Sequence, residues 1–319
     1  MEDIKIFNQS DLVLKVNPVY DPNVLNLDEW ARFLDVLCGD REYQKEAIKT
    51  AIIYLASGNY KNLEELVIEN YSKNVEIRKK YPDLNSYLDS LQIKNKLFAN
   101  IDLATATGKS YVIYGIAQIM LGLGLVSRVL VLCPSVTIER GLYEKFVNLS
   151  GDARLRDTIP QSAVIKNPSI IDANSTIKDG DICIENIHAV YKNTGSSIED
   201  SFKDGGEDTL VLNDESHHIF NDPQSISGRS KEGQNIKKWK EFIINPDYNF
   251  KYILGFTGTA YHNNEYFNDV IYRYSLRQAI NDGIVKSINY VQKDDSSEDY
   301  EKFQKIYQNH QRNKDKYSK

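Results

Sequence analysis

Apolar positions along the chain change period near residue 97. Before that point the spacing is helical. Trp30, Phe33, Leu34 and Leu37 fall at i, i+3, i+4 and i+7, and Gly39 follows as a stop. A second stripe, led by Gln44, runs through Ala47, Ile48, Ala51, Ile52 and Leu55 and is closed by Gly58. The stretch over 58–96 is more charged and is interrupted at Pro82, yet Leu84, Tyr87, Leu88 and Leu91 repeat the same spacing. It predicts a helical insertion. Residues 1–25, with Pro18 and Pro22 among short apolar alternations, predict an irregular arm or an edge strand.

From Leu97 onward, short apolar runs alternate with helical stretches. Leu97–Leu103, Arg128–Cys133, Ala163–Ile165, Asp181–Ile184, Thr209–Leu212 and Tyr252–Phe256 predict strands, and Lys109–Gly122 and Val136–Val147 predict helices. Alternation of this kind builds an α/β fold, a parallel sheet with helices on both faces. Ligands bind such sheets at the carboxyl ends of the strands, so the residues just after each run are the ones to inspect. The chain over 291–319 is polar and predicts a solvated helix or a frayed tail. The expected division is an arm and helix over 1–40, a main unit over 41–290 and this polar segment.

Composition narrows the partners. At 319 residues the chain makes one large domain or two modest ones, and its net charge of −6 argues against a polybasic coat. No apolar run approaches the roughly 18 residues of a membrane span, and Met1-Glu2-Asp3-Ile4 is acidic where a signal peptide is basic. Cys38, Cys133 and Cys183 are few and far apart, which reads as reduced and structural. The expected compartment is cytoplasmic, with no membrane partner.

The strand ends carry candidate chemistry. After Leu97–Leu103 comes Ala104-Thr105-Ala106-Thr107-Gly108-Lys109-Ser110. Such a loop turns backbone N–H groups toward a phosphate at a helix N-terminus, while Lys109 adds charge and Ser110 can hold Mg²⁺. The full G-x-x-x-x-G-K-[ST] pattern is not met, because Leu103 stands at the first glycine. A plain strand–loop–helix connection competes with the phosphate reading. After Leu212 comes Asn213-Asp214-Glu215-Ser216-His217-His218. In a phosphate-loop enzyme such an Asp holds Mg²⁺ and the Glu deprotonates the attacking water. An exposed acidic turn competes, as does a metal site with His217 and His218, which lacks the spacing of a helical zinc motif. Thr257-Gly258-Thr259-Ala260 ends the Tyr252–Phe256 run, with a simple glycine turn as the alternative. Gln44, at a helix start, has an amide that can both donate to and accept from an adenine edge, or can simply face solvent.

Taken in order, Gln44, the Ala104–Ser110 loop, Leu132-Cys133-Pro134-Ser135, Asp214-Glu215-Ser216-His217 and Thr257-Gly258-Thr259-Ala260 resemble the first motor domain of superfamily 2 helicases and translocases. The chain is similar, more narrowly, to type III restriction motor subunits, whose loop reads Met-Ala-Thr-Gly-Thr-Gly-Lys-Thr. Leu103, Ala106 and Ser110 depart from that loop, and Ala106 carries a Cβ where the family has none. Asn186-Ile187-His188 resembles a further segment of those subunits. Tyr274–Ile280 with Gly283–Lys286 resembles their exit from the first domain into the second.

The resemblance implies a RecA-like P-loop domain over 41–290, preceded by a mainly helical region. It implies ATP and Mg²⁺ as cofactors and an ATP hydrolase coupled to movement on nucleic acid, DNA in preference to RNA, in restriction–modification and antiviral defence. By position, Gln44 would read adenine, and Thr107, Gly108, Lys109 and Ser110 would hold the phosphates. Ser110 and Asp214 would hold Mg²⁺ and Glu215 would activate water, with His217 linking the ATP site to Thr257 and Thr259. Pro134, Ser135, Arg140 and Asn186 would touch a nucleic-acid backbone. Such motors need a second RecA-like domain or partner subunit to supply an arginine finger, and restriction assemblies add nuclease or methyltransferase subunits. The residues after about 290 are too few for such a domain, so the expectation is slow hydrolysis by this chain alone. The competing class is a free-standing nucleotide-binding regulatory module without motor activity.

Overall fold

Helices come first, and three of their starts are fixed by a side-chain cap. The computed structural model describes residues 7–172, 175–187, 201–202, 205–220, 239–262, 265–286 and 299–317. After a 3₁₀ turn at Asp28–Trp30 come α1 (Ala31–Cys38) and α2 (Glu42–Ala56). α3 (Leu63–Lys73), α4 (Val75–Lys80) and α5 (Leu84–Ser90) follow between α2 and the sheet. Asn62, Asn74 and Asp83 cap these three, each side chain accepting from amides of the first turn.

The sheet contains β1 (Leu97–Leu103), β2 (Arg128–Cys133), β3 (Ser169–Ile171), β4 (Asp181–Asn186), β5 (Thr209–Asp214), β6 (Tyr252–Thr257) and, after the short hairpin of β7 (Tyr261–His262) and β8 (Glu265–Tyr266), β9 (Val270–Tyr274). Seven strands run in the order β3-β4-β2-β5-β6-β1-β9, and every pairing among them is parallel. β1, β4, β5 and β6 are buried along their whole length, as strands covered on both faces must be. Right-handed crossovers, the rule for parallel strands, would place those stepping from β1 to β2 and from β2 toward β4 on one face and those stepping back to β5 and β6 on the other.

α6 (Lys109–Gly122) joins β1 to β2 and is buried on all sides from Val112 to Gly122. At its end, a Cβ on Gly122 would meet the Trp30 ring at 2.3 Å, so the glycine admits the indole. α7 (Val136–Gly151) is half solvated, burying Leu142 and Phe146, and is followed by α8 (Ala153–Arg156). On the opposite face a helical stretch over 239–244 sets Trp239, Phe242 and Ile243 into the core. α9 (His217–Phe220), α10 (Leu276–Asn281) and α11 (Asp299–Tyr317) complete the described elements. The fold is a RecA-like α/β domain behind a helical N-terminal region.

Two sequence expectations need correction. Ala163–Ile165 is not a strand: the Val164 amide donates to the Gly122 carbonyl at 2.8 Å, so the segment clips the end of α6. The strand of that region is β3, which begins four residues further on. The predicted strands stop at Tyr252–Phe256, whereas β9 follows it and pairs with β1 at the sheet's far side. The arm reaches that side as well, with the Leu14 amide on the Val270 carbonyl at 2.8 Å. His188, the Gly/Ser-containing loop at Arg229–Lys231 and the join at 287–298 lie outside the described residues. Among the described residues no helix is long and apolar enough to cross a membrane, and all three cysteines are buried and free.

Candidate nucleotide site

Three strand ends converge on the loop at 104–108. Thr107 Oγ1 donates to the Ala104 carbonyl at 2.6 Å, which closes the loop on itself. The Thr107 carbonyl then accepts two donors from α2, Tyr43 Oη at 2.8 Å and Gln44 Nε2 at 2.7 Å. Gly108 caps α6 at φ 80°, and a Cβ there would lie 2.6 Å from Gln44 Nε2. Glycine is therefore required twice, for the left-handed turn and for the close approach of the glutamine. Ala106 also sits in the left-handed region, at φ 66°. The family's glycine at that position has a conformational reason, and alanine bears the strain here.

Across β6, the acidic pair faces this loop. Lys109 Nζ forms an ion pair with Glu215 Oε1. Asp214 is buried, and its Oδ1 has no hydrogen-bond partner. Burial pushes its carboxyl up to about 6, with Glu215 adding to the rise and Lys109 opposing it. Glu215 itself adopts φ 54°. His217 Nδ1 lies 3.0 Å from Thr257 Oγ1 and 3.5 Å from Glu215 Oε2. Burial first, then His218 and Lys109, lower the His217 pKa to about 4 against the pull of Glu215, so the ring is neutral at pH 7. The Thr259 amide donates to Thr257 Oγ1 at 3.0 Å. A Cβ on Gly258 would stand 3.0 Å from Thr105 Oγ1, which sets the Thr-Gly-Thr turn against the phosphate loop. One chain of contacts thus runs Lys109–Glu215–His217–Thr257–Thr259.

Sequence reasoning missed the side of the loop nearest β9. Tyr43 stacks on Tyr274, ring centroids 4.0 Å apart. Asp102, buried near the end of β1, accepts from Arg273 Nη1 at 2.8 Å and from Tyr266 Oη at 3.0 Å. An opening of about 480 Å³ there is lined by Tyr43, Glu46, Arg273, Tyr274 and Asp282, among others. An aspartate inside an apolar run was the available signal. A further cavity, about 600 Å³, lies elsewhere, between the arm and α3–α4.

The residues assigned to nucleic acid lie around the ends of β2 and β4, on the other side of β5 from the loop. Ser135 caps α7, its Oγ accepting from the Ile138 amide at 3.4 Å, and Pro134 precedes it, half-buried. Arg140 is exposed and pairs with Glu144 at 3.0 Å. Asn186 is buried, its Nδ2 bonded to Glu139 Oε2 and, at 3.2 Å, to Glu185 Oε1. It faces carboxylates instead of solvent.

The site fits a nucleotide with a divalent cation. Asp214 Oδ1 and Gln44 Oε1 are buried acceptors without partners, and α6 presents its first amides at the loop. A phosphate loop after β1, an acidic pair at the end of β5 and a hydroxyl pair at the end of the strand between them define the RecA-like nucleotide-binding class. A family described as "Type III restriction enzyme, res subunit" matches residues 38–262. The chain belongs to that family. No curated protein matches it. Among solved structures, the UvsW helicase from bacteriophage T4 is similar at 17% identity and a TM-score of 0.30, over 56% of this chain and 51% of that one. A second structure of T4 UvsW gives 16% and 0.29, over 60% of this chain and 30% of that one. The chain spans about half or less of those two structures.

Proposed function

We propose that the chain is the ATP-binding first motor domain of a superfamily 2 nucleic-acid translocase of the type III restriction kind. The observation that carries the reading is the Lys109–Glu215 ion pair, flanked by the unpartnered Asp214 Oδ1. Lys109 and the α6 N-terminus bind the phosphates, with Thr107, Gly108 and Ser110 shaping the cradle. Ser110 and Asp214 hold Mg²⁺, which neutralises charge on the phosphate oxygens. When a phosphate takes over Lys109, Glu215 is released to orient and deprotonate the attacking water. Gln44 Oε1 is the free acceptor for an adenine amino group. His217 carries changes at Glu215 to Thr257 and Thr259.

Movement on nucleic acid, DNA in preference to RNA, needs a second RecA-like domain or a partner subunit with an arginine finger. Nuclease or methyltransferase subunits are the further partners that the family membership supports. The test is ATP hydrolysis by the chain alone and with duplex DNA, single-stranded DNA or RNA, each with and without a candidate second domain. Slow hydrolysis alone, stimulated by DNA once that domain is added, is the expected outcome. ATP binding that responds to no polymer under any of these conditions favours a nucleotide-switched regulatory module instead.

A further inference from the structure

A polar side chain in the middle of a fully buried strand needs partners for every hydrogen-bonding group, and Asn100 of β1 has found them at both ends. Its Nδ2 donates to Asp269 Oδ1 at 2.7 Å, and its Oδ1 accepts from Ser216 Oγ at 2.7 Å. The partners come from distant strand ends. Asp269 stands just before β9, and its carbonyl also accepts the Asn100 amide at 2.9 Å. Ser216 directly follows Glu215.

The bridge crosses a strand to do this. In the register Asn100 lies beside Gly255, and Gly255 beside Asn213. A Cβ on Gly255 would stand 2.0 Å from Asn100 Oδ1 and 2.6 Å from Ser216 Oγ. Only glycine lets the amide pass over β6 and reach the acidic loop. The loop needs holding, because Glu215 at φ 54° is in a conformation that a glutamate leaves readily. Ser216 is fixed twice, by Asn100 at its hydroxyl and by the Phe256 carbonyl at its amide, 2.9 Å away. On the other side of the pair, Trp239 Nε1 donates to Asn213 Oδ1 at 3.0 Å. The far end of the bridge is anchored to the helical insertion: Tyr87 Oη donates to the Asn268 carbonyl at 2.7 Å, and Asn268 Nδ2 to the Ser90 carbonyl at 2.9 Å.

We propose that Asn100 and Asp269 are positioning residues for the Asp214–Glu215 pair, acting through Ser216 to hold Glu215 in its left-handed conformation facing Lys109. The proposal rests on the nucleotide-site reading above. Burial pushes the Asp269 carboxyl up to about 6 while its bond from Asn100 opposes the rise, so at neutral pH the Asn100 donor is what keeps a buried carboxylate tolerable.

The experiment uses the full 319-residue chain with Ser216→Ala, which removes one oxygen, and Asn100→Leu, which removes both bonds. Two readouts are taken: steady-state ATP hydrolysis, and hydrogen exchange at the Ser216 amide without nucleotide. Ser216→Ala is expected to lower kcat about tenfold with KM within about twofold of wild type. The same change is expected to speed exchange at the Ser216 amide about fivefold, leaving β1 and β2 protected as before. Adding Asn100→Leu to Ser216→Ala should cost little further kcat, because both act through one bond. If Asn100→Leu does not fold, Ser216→Ala alone decides. Wild-type kcat in Ser216→Ala overturns the proposal, as does reduced kcat with unchanged exchange. If the wild-type chain hydrolyses nothing alone, the kcat comparison is made with the second domain and DNA present; if ATP is hydrolysed under none of these conditions, the hydrolytic function proposed above falls, and the exchange measurement alone then judges the bridge.

Discussion

The rim of the sheet where β1, β5 and β6 end and the part where β2 and β4 end share one geometry, yet they are finished differently. At the first, buried polar groups are left short of partners: Asp214 Oδ1 and Gln44 Oε1 have none, and Lys109 is held by the carboxylate it must release. At the second, bonds are taken up internally. Asn186 is tied to Glu139 and Glu185, Arg140 to Glu144, and the Ser135 hydroxyl to the first turn of α7. Strand ends of a parallel sheet offer a place for a ligand. Unmet bonding capacity at buried groups marks which of those places is built for one. By that measure the first end is ready-made for a nucleotide, while the end proposed for nucleic acid would have to open its carboxylate contacts before gripping a polyanion.

After loss of Lys109 itself, the largest break in that contrast should come from Gly108→Ala. The added Cβ would meet Gln44 Nε2 at 2.6 Å and force a left-handed alanine at φ 80°. Nucleotide affinity should fall at least about thirtyfold, measured by calorimetry, while a variant at the other end such as Arg140→Ala leaves it unchanged. An intermediate effect is expected from Glu139→Gln, which removes a charge facing Asn186. Binding of short duplex DNA at low salt should tighten about two- to threefold, and the gain should fade as salt rises. No change would mean that Asn186 is not on the path of the polymer. The smallest effect is Ala106→Gly, which relieves the left-handed alanine at φ 66°. Stability in denaturant should rise by about 1 kcal/mol, and a fall would show that the loop carries no strain at that position.

Much of this contrast was legible in the amino-acid order, and the remainder was hidden for a physical reason. β1, β2, β4, β5 and β6 are buried on both faces, so each shows as an apolar run, and the candidate residues stand directly after them. β3 has only three residues, too few for a pattern. β9 carries Arg273, whose charge makes sense only beside Asp102, 171 residues away in sequence. The Asn100–Ser216 bridge was invisible for the same reason. It depends on β1 lying beside β6, and β6 beside β5, and a register between distant strands leaves no local trace. Asn186 shows the same limit: its place at the end of β4 suits a ligand, but which way it turns is set by Glu139 on α7.

In the proposed function Lys109 and Glu215 divide binding from chemistry at one site. The direct measurement is ATP–Mg²⁺ affinity and hydrolysis for the wild-type chain, Lys109→Ala and Glu215→Gln, determined side by side. Lys109→Ala should lose nucleotide binding, by about a hundredfold or more. Glu215→Gln should bind ATP at least as tightly as wild type, because Lys109 is no longer held by a carboxylate, and should hydrolyse none of it. Equal ATP affinity in the wild type and Lys109→Ala would contradict the account.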